Sequence, residues 1–197
     1  VVYDANAKRV IAELDDVFGF NWSEDGEGVL YSSAVVDTQN NRNINRVHRF
    51  DWQSEANHTL YVYPDNAVFI GVSPAPNGGC FLGVKINYGD TLMLYLNSEG
   101  KATRLSSGKG FFEYIGEKNG RCYFSTDENA PMGHVLSIAA KDVEREGALV
   151  DGFAVALAET DASLESVGLT DEGILAVHSR NACSEMALYS FEGKKLR

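Results

Sequence analysis

The 197-residue sequence contains no Gly-x-Ser-x-Gly string, no apolar run near the roughly 20 residues a membrane helix needs, and little helical periodicity. The first absence removes the tight turn that raises a nucleophilic serine. The second removes a spanning helix, and no signal peptide opens the sequence. Basic residues are outnumbered 17 to 28 by acidic ones, for a formal charge of −11, and they form no stripe or aromatic-interleaved cluster. Nucleic-acid binding rests on neutralising phosphates, so it is excluded as a function class. Cysteine is scarce, with Cys80, Cys122 and Cys183 odd in number and widely spaced beside apolar strands. They are expected to be reduced, buried thiols, which fits a cytoplasmic location, with the periplasm as the alternative.

What the sequence does have is a recurring unit. A hydrophobic stretch enters a polar glycine turn and leaves as a second strand at Ser23-Glu24-Asp25-Gly26, Pro76-Asn77-Gly78-Gly79, Glu117-Lys118-Asn119-Gly120 and Thr170-Asp171-Glu172-Gly173. The glycines Gly26, Gly78, Gly120 and Gly173 are 52, 42 and 53 positions apart. An apolar signal keeps step with them at Val2-Tyr3, Val47-His48, Leu94-Tyr95, Val135-Leu136 and Leu188-Tyr189. This spacing, with several strands per unit, predicts an all-β fold of about four four-stranded antiparallel propeller blades. The expected division is the end of a blade over 1–17, then blades over 18–66, 67–107, 108–155 and 156–197.

Within it, Val2-Tyr3 ends one strand and Arg9 to Leu14 returns. Asp37 to Asn45 reads as a polar, Asn-rich loop too polar to bury. A short fourth strand of the third blade is expected near Ala148 to Val150, and the only candidate helical turns lie in polar stretches such as Lys141 to Glu146. The fourth blade is expected to stop at Arg197 as its outermost strand begins. The opening Val1-Val2-Tyr3-Asp4 lies mid-strand, without an initiator methionine, so the expectation is a chain cut from something longer. Exposed blade edges would then favour self-association.

No residue is assigned a catalytic, cofactor-binding or metal-binding role. Ser73, in Gly71-Val72-Ser73-Pro74, leads into a proline turn. His48, His58, His134 and His178 are isolated, without zinc-type spacing. Glu24-Asp25-Gly26-Glu27-Gly28 lacks the twelve-residue calcium-loop pattern and reads as a hairpin turn. The paired acids Asp15-Asp16, Asp127-Glu128 and Asp171-Glu172 fall in predicted loops, where solvated carboxylates are ordinary. Asn21-Trp22-Ser23 and Asn57-His58-Thr59 match the glycosylation acceptor string by chance, the first lying in a predicted blade strand.

Several strings, in order, resemble the prolyl oligopeptidase family. They are Phe20-Asn21-Trp22-Ser23-Glu24-Asp25-Gly26-Glu27-Gly28-Val29-Leu30-Tyr31-Ser32, Asn45-Arg46-Val47-His48-Arg49-Phe50, and Tyr123-Phe124-Ser125-Thr126-Asp127-Glu128-Asn129-Ala130-Pro131. Leu164-Glu165-Ser166-Val167 and Leu188-Tyr189-Ser190-Phe191-Glu192-Gly193-Lys194 follow where the last-but-one blade would put them. Met132-Gly133-His134 and Glu185 depart from positions where the family commonly has arginine. The resemblance implies part of a seven-bladed propeller that acts as a lid and size filter over an α/β-hydrolase domain, which cleaves short peptides after proline. The implied partners are that catalytic domain, from the same parent chain, and short peptide substrates. The triad belongs to that other domain, so this sequence alone is expected to be inactive. Lys85, Asn87 and Tyr88 lie in a loop of the kind that lines the family's cavity, but no motif match assigns them. The alternatives are a stand-alone propeller used as a binding scaffold and, last, a sugar-cleaving propeller, which would need arginines and acids around the axis.

Overall fold

A computed structural model describes residues 1–145 and 152–197. The expected strand at Ala148 to Val150 lies outside the described residues. The backbone forms antiparallel sheets in sequence order, joined by short turns. A two-stranded sheet comes first, β1 (Val2–Asp4) with β2 (Arg9–Ala12). A four-stranded sheet follows: β3 (Val17–Trp22), β4 (Gly28–Asp37), β5 (Arg42–Asp51) and β6 (Ala56–Val62). The second four-stranded sheet holds β7 (Phe69–Pro74), β8 (Cys80–Lys85), β9 (Thr91–Leu96) and β10 (Ala102–Arg104). The third holds β11 (Phe112–Lys118), β12 (Arg121–Thr126), β13 (His134–Ala139) and β14 (Ala154–Leu157). The last has β15 (Ser163–Leu169), β16 (Ile174–Arg180) and β17 (Cys183–Tyr189), and Lys195 bridges back to Tyr189. Short 3-10 turns at Pro76–Gly78 and Ala140–Asp142 are the helical pieces among the described residues.

The four glycine turns are the first hairpin of each of these four sheets, and the companion apolar signals fall on the third strands β5, β9, β13 and β17. Turn chemistry explains the first regularity. Asn119 and Gly120, at φ +53° and +69°, supply the positive φ of a two-residue hairpin. Burial explains the second, because Val47, Tyr95 and Val135 are fully enclosed.

The Asn-rich stretch differs from expectation. β4 and β5 pair continuously from Gly28↔Asp51 to Asp37↔Arg42, so a tight hairpin replaces most of the loop. Asn45, read as too polar to bury, is 1% exposed, because its amide donates to Ala67 O at 3.0 Å. A buried amide is tolerated when its hydrogen bond is made.

Two compact units divide the chain: Val1–Tyr88 with Leu94–Ala102, and Gly89–Met93 with Thr103–Arg197. The core of the first includes Val47, Ile70, Leu82 and Val84. Asn21 there donates to Val72 O at 2.9 Å, tying β3 to β7 and occupying the amide a glycan would need. In the second unit Tyr123, Val135, Leu157, Ile174 and Ala176 form one cluster, joined by Leu164, Val167 and Tyr189.

Candidate functional site

The Glu24-to-Gly28 turn is built around Asp25. Its Oδ1 accepts from Ser23 Oγ at 2.5 Å and from Glu27 N at 2.9 Å, and its Oδ2 accepts from Arg49 at 2.8 Å. These bonds, the Ser23 hydroxyl foremost, hold the Asp25 carboxyl down at about 2. The oxygens a cation would use are committed to closing the hairpin. Thr170 repeats the device in the last sheet, where its hydroxyl accepts from Glu172 N and Gly173 N.

The histidines fall on four different strands, His48 on β5, His58 on β6, His134 on β13 and His178 on β16. His48 has Nε2 2.9 Å from Ser33 Oγ, Nδ1 3.1 Å from Thr59 Oγ1, and its ring stacked 4.7 Å from Tyr31. Strand pairing produces this set, since Tyr31, His48 and Thr59 occupy facing positions on β4, β5 and β6. The hydroxyl partners were not legible in sequence, being 15 and 11 residues from the ring they bracket. His178 meets Tyr189 edge-on, and His134 opens β13 with its Nε2 buried and unpartnered. Burial lowers the pKa of all three. His58 is exposed on β6.

Ser73 sits within β7, paired across to Phe81, rather than on a strand-to-helix turn. Asp127 accepts from Phe111 N at 2.6 Å, Glu128 from Ser107 N at 3.3 Å, and Asp171 pairs with Lys118 at 2.6 Å. These acids fasten turns to neighbouring strands, whereas Asp15 and Asp16 stand exposed. Among the described residues no three His, Cys, Asp or Glu side chains could jointly hold a metal. Cys80 and Cys122 are buried thiols pushed up to about 12 by desolvation. Cys183 is exposed, contrary to expectation, because it starts β17 directly after the Asn181-Ala182 hairpin.

At the two departures from the family pattern, Met132 N donates to Glu159 at 2.6 Å and Glu185 pairs with Lys195 at 2.7 Å. Lys85 ends β8, and Tyr88 stands fully exposed beyond it. No helix among the described residues is long and apolar enough to cross a membrane.

Concave surface exists within each unit. In the second, a groove of about 420 Å3 runs between β11 and β15, and its charged lining, Glu113, Asp127 and Glu165, is wholly acidic. In the first, an apolar hollow of about 460 Å3 lies among Val2, Leu14, Val17, Phe20, Trp22 and Val29.

No family model and no curated protein matches the chain. Solved structures do. A prolyl endopeptidase, from work on inter-domain dynamics in catalysis and specificity, superposes at a TM-score of 0.76 and 18% identity, over 98% of this chain and 28% of that one. Prolyl oligopeptidase B from Galerina marginata, without ligand, gives 0.69 at 20% identity over 91% and 26%. The same enzyme bound to a 35mer hydrolysis and macrocyclization substrate gives 0.71 at 19% over 90% and 26%. The chain thus spans about a quarter of the length of the structures it matches, and over that span it has the β-propeller fold of the prolyl oligopeptidase structures.

Proposed function

We propose that the chain is about four blades of the lid propeller of a prolyl oligopeptidase-like serine peptidase, a cytoplasmic enzyme that cleaves short peptides after proline. The likeness over 98% of the chain carries this reading. The blades are those expected over 18–66, 67–107, 108–155 and 156–197, preceded by the end of another. Their role is access control: an α/β-hydrolase domain of the same parent chain supplies the Ser-Asp-His chemistry, and the propeller admits short peptides while excluding folded proteins. In this reading the nucleophile and general base come from that other domain; among the described residues Ser73 is paired within β7 and His48 is bonded between Ser33 and Thr59. Sheet edges such as β17, with Ser184 and Met186 exposed, favour self-association of the isolated chain.

The test is a chimera in which this chain replaces the matching stretch of a prolyl endopeptidase. A folded chimera is expected to hydrolyse a short proline-containing fluorogenic peptide and to spare the same sequence carried within a folded protein, while the isolated chain turns over neither. Equal cleavage of the short peptide and of the folded protein would remove the size-filter role. Turnover by the isolated chain, stopped by a serine-directed inhibitor, would refute the inactive-lid reading outright.

A further inference from the structure

Two Asn-Gly steps occur in the sequence, Asn77-Gly78 and Asn119-Gly120, and both stand exposed in hairpin turns with positive φ at each residue. Such a step carries a latent reaction. The glycine nitrogen can attack the side-chain amide carbon of the asparagine before it, and glycine has no Cβ to crowd the ring that forms. To react, that nitrogen must give up its proton and swing toward Cγ, and in this respect the two turns differ. Gly78 N donates to Glu24 Oε2 at 3.2 Å. The turn around it is fastened again by Ala75 N to Gly79 O at 3.1 Å and by the Tyr95 hydroxyl to Pro76 O at 3.2 Å. A carboxylate beside Gly78 N opposes its ionisation, because the amide anion would face a like charge. Gly120 N makes no hydrogen bond among the described residues; only its carbonyl is held, accepting from Ala140 N at 2.9 Å. A Cβ built on Gly120 would meet nothing within 4 Å, so the nitrogen has room to move. The strand ladder ends at Lys118↔Arg121, which leaves only the two-residue tip to open.

We propose that Asn119-Gly120 is a covalent modification site, at which the folded chain converts its own asparagine to aspartate and isoaspartate, while Glu24 protects the matching step Asn77-Gly78. Gly120 N loses its proton and bonds to Asn119 Cγ. The Cγ–Nδ2 bond breaks, and Nδ2 gains a proton and leaves as ammonia. Water then opens the cyclic imide at Cγ, giving aspartate, or at the Asn119 backbone carbonyl carbon, giving isoaspartate. Nothing is oxidised or reduced: one water enters and one ammonia leaves. Either product puts a carboxylate next to Lys118, whose Nζ lies 2.6 Å from Asp171 Oδ1 in the first hairpin of the last sheet. The new charge competes with Asp171 for that ammonium, and isoaspartate also lengthens the hairpin backbone by a methylene. The modification therefore slackens the tie between β11–β12 and β15–β16. This inference does not rest on the peptidase reading, since it needs only the chain and water.

The experiment incubates the full chain at neutral pH and follows both steps by peptide mapping with mass spectrometry, which resolves the exchange of amide for acid. Conversion at Asn119 is expected at least about tenfold faster than at Asn77, since the latter must first break a hydrogen bond to a charged group. In urea the two identical dipeptides should convert at similar rates. Glu24→Ala should bring Asn77 to within about threefold of Asn119 without changing the rate at Asn119. In Asn119→Asp, NMR titration should find the Asp171 carboxyl raised from its lowered value, which the Lys118 hydrogen bond sustains. Equal rates at the two steps in the folded chain overturn the proposal. So does an Asn119 that stays intact in the folded chain while it converts in urea. Were Glu24→Ala to fail to fold, the unaltered chain with and without urea would decide alone.

Discussion

Gly173 closes the first hairpin of the last sheet at φ +159°, a backbone conformation that side chains rarely adopt. A Cβ at this position would stand 1.9 Å from Tyr189 O and 2.9 Å from Tyr189 C. Both obstacles are backbone, so no rotamer change relieves them. Gly173→Ala must therefore shift the turn by more than an ångström or push β17 away. The conformational strain alone is about 1–3 kcal/mol. The shift also endangers the bonds Gly173 O accepts from Thr170 N at 2.8 Å and Thr170 Oγ1 at 3.0 Å, each worth about 1 kcal/mol. The expected destabilisation is about 3–5 kcal/mol, a large share of ordinary domain stability. Gly168 supplies the control within the same hairpin. A Cβ there meets nothing within 4 Å, so Gly168→Ala should be neutral or stabilising by up to about 1 kcal/mol. Urea titration of both variants, with amide exchange read over β15 to β17, measures the difference. If Gly173→Ala lay within about 0.5 kcal/mol of the parent, the steric argument would be refuted.

Three further outcomes follow from the polar groups. The Asp25 carboxyl, held at about 2, contributes stability that is present above the ordinary carboxylate pKa and is lost as pH falls from about 4 to about 2; Ser23→Ala should raise that pKa, as read by NMR titration of the carboxyl. Burial lowers the pKa of His48, His134 and His178, so the neutral form is favoured in the fold; the stability it gives is full above about pH 6.5 and declines as pH falls through the folded values, and flat unfolding midpoints between pH 7 and 5 would contradict this. Asn45→Ala removes the 3.0 Å donor from Ala67 O, which keeps the Asn43 amide at 3.2 Å, and should cost about 1 kcal/mol in denaturant, whereas Asn40→Ala on the exposed hairpin should cost under about 0.5.

The repeat was legible because two independent physical signals mark it. Positive φ at Gly26, Gly78 and Gly120 cannot be supplied cheaply by most residues, and full burial at Val47 and Val135 cannot be supplied by polar ones. Where a strand is held by amide side chains instead, those signals are silent. The last residue of β4, Asp37, and the first four of β5, Arg42 to Asn45, read as loop because Asn43 and Asn45 look like turn residues, yet their side-chain amides reach Ala67 O, more than twenty residues on. The polar set around His48 was hidden for the same reason. It depends on lateral register between three strands, which no local spacing encodes.

β3 presents the sharpest disagreement between pattern and burial. Its sequence Val17-Phe18-Gly19-Phe20-Asn21-Trp22 has the aromatic content of a half-buried strand. Yet Phe18, Phe20 and Trp22 are each about 60% exposed or more, while the small residue Gly19 is better covered. Scattered surface aromatics need no explanation, but here Tyr3, Val17, Phe20 and Trp22 border one hollow. The aromatic pattern of β3 thus marks a strand, whereas how far its side chains are covered is set by what packs on them, which aromatic content alone does not encode.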